Sequence, residues 1–95
     1  MVNIKLADQY RDAGRACERV CDNSGAIRNY QLALNENPDD LNSMANLAWV
    51  MHKEGNTPSA KSLIDRVCEA KPDKRRFVDL KERIYREIKR LDVSY

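Results

Sequence analysis

Residues 7 to 40 and 41 to 74 carry the same order of small, bulky and turn-forming side chains, every match offset by 34 residues. Tyr10 answers Met44, Ala13 Leu47, Gly14 Ala48, Cys17 Met51, Ala26 Ala60, Tyr30 Ile64, Ala33 Val67 and Pro38 Pro72. A fixed period of this length marks stacked supersecondary units, because one such unit cannot bury its own apolar face. The period constrains the fold before any other feature does, and by itself it says nothing of what is bound.

Within the period the apolar spacing is helical. Asn3 is placed to cap a first helix whose apolar face is Leu6, Tyr10, Ala13, Cys17, Val20 and Cys21, ending near Asp22. Asn23-Ser24-Gly25 reads as a turn, with Ser24 the expected N-cap of a second helix and Gly25 free to take unusual dihedrals. Ala26, Ile27, Tyr30, Ala33 and Leu34 form that helix's stripe, and Pro38 stops it by disfavouring a helical Asn37. Asp39 or Asp40 caps a third helix with Leu41, Met44, Leu47, Ala48 and Met51 inside, ending before Gly55. Thr57 is the expected cap of a fourth, with Pro58 first in the helix and Ala60, Leu63, Ile64 and Val67 buried. After Lys71-Pro72, Asp73 is expected to cap a last helix of about 18 residues, with Phe77, Val78, Leu80, Ile84, Tyr85, Ile88 and Leu91 on its apolar side.

A chain of 95 residues fits one domain with a modest core. Its 42% hydrophobic and 34% charged residues suit a globular protein, and no apolar run approaches the roughly 20 residues that cross a bilayer. The start Met1-Val2-Asn3-Ile4-Lys5 does not read as a secretory signal, so the expected location is cytoplasmic. Residues 1 to 73 hold 9 basic and 11 acidic side chains, and residues 74 to 95 hold 8 and 4, so the basic excess lies at the C-terminal end. There the bases alternate with Asp79, Glu82, Glu87 and Asp92, the pattern of a solvated helix with i,i+4 pairs. A nucleic-acid patch would instead use Lys74, Arg75, Arg76, Arg83, Arg86 and Arg90, a weak set once those acids are counted. Cys17, Cys21 and Cys68 are an odd number of thiols, expected reduced. Cys17 and Cys21 lie one helical turn apart, but His52 is the only histidine, so small packing residues are expected, with no metal and no cofactor. His52 also lacks a partner in sequence for nucleophilic or acid–base work, and we expect no catalysis. It reads as an exposed residue near a helix end.

The matched positions resemble the tetratricopeptide repeat, whose signature runs over 34 residues. The pattern asks for bulky residues at the positions of Tyr10 and Cys17, small ones at Gly14, Ala26 and Ala33, an aromatic at Tyr30 and proline at Pro38; the second unit offers Met44, Met51, Ala48, Ala60, Val67, Ile64 and Pro72. Cys21 departs from it by replacing a glycine that Gly55 keeps. The resemblance implies an all-α, right-handed α-solenoid in one domain, residues 1–95. Its parts are repeats at 7–40 and 41–74 and a capping helix at 75–92, five helices in all.

By the same resemblance, the first helix of each unit lines a concave groove with side chains not needed for packing. These are Asp8, Arg11, Asp12, Arg15, Glu18 and Arg19; Asn42, Ala45, Asn46, Trp49, Val50 and Lys53; and Arg76, Asp79, Leu80, Arg83, Arg86 and Glu87. Family members that hold the acidic C-terminus of heat-shock chaperones clamp two carboxylates with Lys, Asn, Asn, Lys and Arg. Here Arg11 and Arg76 keep charge at two of those positions and Asn46 is identical, but Arg15 replaces an Asn and Leu80 replaces the final Arg, with Arg83 one turn on. The expected function is a non-enzymatic module that receives an acidic peptide against Arg11, Arg15, Asn46, Trp49, Arg76 and Arg83. The alternatives are chaperone-tail binding, or a structural piece of a larger array with no peptide of its own. Trp49 is either a ligand anchor or packs sideways on Leu80. Self-association through the end helix would use Val78, Tyr85, Val93 and Tyr95.

Overall fold

The computed structural model describes residues 1–92, which form α1 (Ile4–Arg19), α2 (Asn23–Glu36), α3 (Leu41–Lys53), α4 (Thr57–Ala70) and α5 (Arg75–Asp92). Val93 and Tyr95, and the side chain of Leu91, lie outside what it describes. Each helix packs on the next in chain order, and α3 also touches α5. The described residues contain no strand.

Helix ends follow from side chains that satisfy orphan backbone groups. Asn3 Oδ1 accepts from the Leu6 amide at 3.0 Å, while the Asn3 amide donates to the Glu36 carbonyl at 2.9 Å and ties the chain's start to the end of α2. Asp22, not Ser24, caps α2, accepting from the Gly25 amide at 3.0 Å. Gly25 lies inside α2, where its missing side chain leaves room for the Asp22 carboxylate and then the Cys17 thiol, with no unusual dihedral. Asp40 caps α3, accepting from the Ser43 amide at 3.2 Å and from its hydroxyl at 2.6 Å. Asn56 holds the cap position of α4, which moves Thr57 into the first turn and Pro58 one place further in. The Lys74 carbonyl accepts from the Phe77 and Val78 amides at 3.0 Å, so α5 begins after Lys74, and Asp73 stands exposed outside it.

The turns that join α1 to α2 and α3 to α4 repeat the sequence period in their backbone. Asp22 N–H reaches the Cys17 carbonyl and Asn56 N–H reaches the Met51 carbonyl, both at 2.8 Å; Cys21 and Gly55 donate to Glu18 and His52, both at 3.0 Å. Cys21 (φ 61°) and Gly55 (φ 86°) hold the left-handed position of this C-terminal cap. Val20 and Cys21 therefore leave the apolar stripe expected for α1, and both are exposed.

Two clusters make the core. Ala26, Tyr30, Leu47 and Val50 form one; Met44, Ala45, Ala48, Ala60, Ile64, Val67, Cys68, Phe77 and Ile84 form the other. Leu34, Met51 and Leu63 pack against both. A Cβ at Gly14 would lie 2.5 Å from the ring of the fully buried Tyr30, so the α1–α2 crossing depends on a missing side chain. Phe77 and Ile84 bring α5 onto α4, each worth roughly 1.5–3 kcal/mol of burial. Cys68 Sγ donates to the Phe77 carbonyl at 3.5 Å, and burial pushes its thiol pKa up. Tyr85 Oη donates to Asp65 Oδ1 at 2.5 Å, with Lys61 and Lys81 at 3.1 and 3.6 Å from that carboxylate. Burial opposes ionisation of Asp65, but these hydrogen bonds and charges outweigh it and hold its pKa below the usual range.

Candidate functional site: the concave face

The 34-residue frame that matches α1 to α3 continues into α5, so the three helices present matched positions on one side: Arg15, Trp49 and Arg83 in one row, Asp12, Asn46 and Leu80 in another. Two adjoining hollows lie there, beside a third of about 350 Å³ lined by Arg15, Glu18, Arg19 and Asn46. The larger, about 480 Å³, is lined by Glu18, Ala45, Asn46, Trp49, Arg76, Asp79, Leu80 and Arg83. The smaller, about 290 Å³, is lined by Arg11, Arg15, Asn42, Asn46 and Arg76. Asn46 and Arg76 line both, so the six residues expected from sequence fall around one continuous depression.

Arg76 forms the ridge between the hollows. Its guanidinium donates to Asn42 Oδ1 at 2.8 Å and to Asn46 Oδ1 at 2.6 Å, which joins α5 to α3 across the groove. Arg11 is more committed. Its Nη1 meets both carboxylate oxygens of Asp40 at 2.9 Å and its Nη2 meets Asp8 at 3.0 Å, so a fork that could hold a ligand carboxylate already holds two of the chain's own. Arg15 is exposed, opens onto the smaller hollow, and is held by no described ion pair.

Trp49 is half-buried beside Leu80. The Arg83 guanidinium lies 4.7 Å from its ring centroid and Lys53 Nζ 5.9 Å. His52 is also half-buried rather than exposed, its ring 5.6 Å from the indole and its Nδ1 buried without a hydrogen-bond partner. Glu18 is partly withdrawn from the groove: it accepts from Tyr30 Oη at 2.5 Å and from Lys53 at 3.3 Å. Burial first, and then this carboxylate, push the Tyr30 phenol pKa far up.

Two residues expected in the groove belong to the core. Ala45 and Val50 are fully buried. Val50 lies on the side of α3 that meets Ala26, Tyr30 and Leu47, and His52 is the residue that matches Glu18 and Arg86 in the frame. Asn42, Glu18 and Asp79, expected on the groove face but not among the six residues expected to hold the peptide, also line the hollows. Of the basic tail, Arg75 pairs with Asp79 at 3.3 Å and Arg90 with Glu87 at 3.5 Å, while Arg76 and Arg83 turn into the groove. Among the described residues no group of three His, Cys, Asp or Glu side chains is arranged to hold a metal ion, and no helix is long and apolar enough to cross a membrane.

A family model for the tetratricopeptide repeat matches residues 22–84, more than half of the chain. No curated protein and no solved structure gives a significant match.

Proposed function

Because this chain belongs to the tetratricopeptide-repeat family, a family of protein-interaction modules, we propose that it is a non-enzymatic, intracellular module whose concave face receives an acidic peptide. We take repeats at 7–40 and 41–74 with a cap at 75–92 as one binding unit. The observation that carries the reading is the smaller hollow, where Arg11, Arg15 and Arg76 converge with two asparagine amides and no carboxylate shares the lining. Guanidinium groups so placed bind carboxylates through forked hydrogen bonds. The commitment of Arg11 to Asp8 and Asp40, which together neutralise it, leaves the ligand to Arg15 and Arg76.

Titration of acidic peptides against the full chain, followed by fluorescence of Trp49, tests this, since Trp49 is the sole tryptophan. Arg15→Glu and Arg76→Glu each weaken binding by about tenfold or more, the scale of one charge-assisted contact. Unchanged affinity in both variants rules out the electrostatic reading.

Self-association through α5 is a second reading. Its support is a further hollow of about 530 Å³ lined by Glu82, Tyr85, Arg86, Ile88 and Lys89 on the end helix. Sedimentation across a concentration series decides it: a constant monomer mass removes it.

A further inference from the structure

We propose that the groove reads one acid and one bulky apolar side chain two residues apart in an extended peptide, and selects against a second acid. This rests on the acidic-peptide reading above and adds the chemistry of the neighbouring position.

The two hollows differ in kind. The smaller is lined by three guanidinium groups and two amides. The larger sets Glu18 and Asp79 against Arg76 and Arg83, so its lining charges cancel, and Trp49 and Leu80 give it apolar wall. Three of its charged groups are already engaged, Glu18 with Tyr30 and Lys53, Asp79 with Arg75 and Arg83 over the indole, while Arg76 is shared with the smaller hollow. A carboxylate entering there meets two like charges, Glu18 and Asp79, that offset the attraction of Arg76 and Arg83. An aliphatic or aromatic side chain meets Trp49 and Leu80 and displaces water from both.

Because the hollows share Asn46 and Arg76, the two ligand side chains are close neighbours. In an extended peptide, side chains at i and i+2 lie on one face roughly 6.5 to 7 Å apart, so neighbouring seats that share a wall take residues of that register. Leu80 is the specificity-determining residue. It presents a hydrocarbon at the position where a two-carboxylate clamp presents a cation, and so converts the second seat from acidic to apolar.

The test uses the full chain and four peptides on one unstructured background: acid-x-Leu, acid-x-acid, Ala-x-Leu and Leu-x-acid. The expected result is that acid-x-Leu or its reverse binds at least about tenfold tighter than acid-x-acid and than Ala-x-Leu. Affinities are read by calorimetry, and the Leu-containing ligands should shift Trp49 emission more than acid-x-acid does. Leu80→Arg, checked for retained helix content by circular dichroism, reverses the order in favour of acid-x-acid, and Trp49→Phe keeps the order with a weaker Leu preference. If acid-x-acid binds as well as acid-x-Leu to the native chain, this inference falls while the acidic-peptide reading stands. If Ala-x-Leu binds as well as acid-x-Leu, both fall.

Discussion

Where α1 crosses α2, Gly14 leaves room for the whole ring of Tyr30; at the matching place between α3 and α4, Ala48 and Ile64 share a cluster. A larger residue on the second helix goes with a smaller one on the first, so the sequence period is kept in volume rather than in identity. The free faces differ in the opposite sense. α1 offers the groove Arg11 and Arg15, whereas α3 offers the buried Ala45 and the half-buried Trp49 at the same two places. Arg11 also spans the two pairs, because Asp40, its partner, is the cap of α3. Packing positions repeat because the crossing geometry repeats. Groove positions diverge because no crossing constrains them.

The comparison can be broken most directly at Tyr30. Tyr30→Ala removes the largest buried side chain of the first pair and its bond to Glu18, and should cost about 3–5 kcal/mol in urea unfolding. Ile64→Ala in the second pair should cost about 2–5 kcal/mol, nearer the low end because the cavity is smaller. Gly14→Ala should cost about 1–3 kcal/mol by driving a methyl into the Tyr30 ring. Adding Tyr30→Ile recreates the Ala48 and Ile64 solution, so the double variant should lose less than the two single losses combined; strict additivity would refute the matched-volume account.

A smaller effect concerns the joint of α4 and α5, whose Asp65 and Tyr85 have no counterpart at the matching joint of α2 and α3, where Gln31 and Met51 stand. Asp65, with its pKa lowered in the fold, stabilises the joint fully above the ordinary aspartate pKa of about 3.9. That contribution is lost as pH falls through the lower folded value. Thermal melts from pH 6 down to pH 2 should therefore show a steeper acid loss in the native chain than in Asp65→Asn. The smallest effect lies in the two turns. Cys21→Gly should stabilise by about 0.5 kcal/mol by relieving a left-handed non-glycine residue, and Gly55→Ala should destabilise by about 1 kcal/mol although open space surrounds it.

Most of the fold was legible because helix periodicity and the matched small residues are local and redundant. The errors fall at helix starts: Asp22 displaced Ser24, Asn56 displaced Thr57, and Lys74 precedes α5 in place of Asp73. In each case several polar residues in succession could have capped, and only the surrounding backbone selects one. The groove was legible as a face, since α1, α3 and α5 follow one frame, but not as a set of free charges. That Arg11 is spent on Asp8 and Asp40 depends on where α3 begins relative to α1, a relation across 29 residues that no local pattern carries. Val50 was misassigned to the groove by a slip of two places in the frame: His52 matches Glu18 and Arg86, whereas Val50 matches Ile84 and is buried as Ile84 is.

Leu34, Met51 and Leu63 belong to both clusters, so neither helix pair can open without stripping cover from the other. The chain should then lose its middle in a single step. Backbone amides of α2, α3 and α4 should exchange with deuterium together, at the rate set by global unfolding, while the outer turns of α1 and α5 exchange earlier by local fraying.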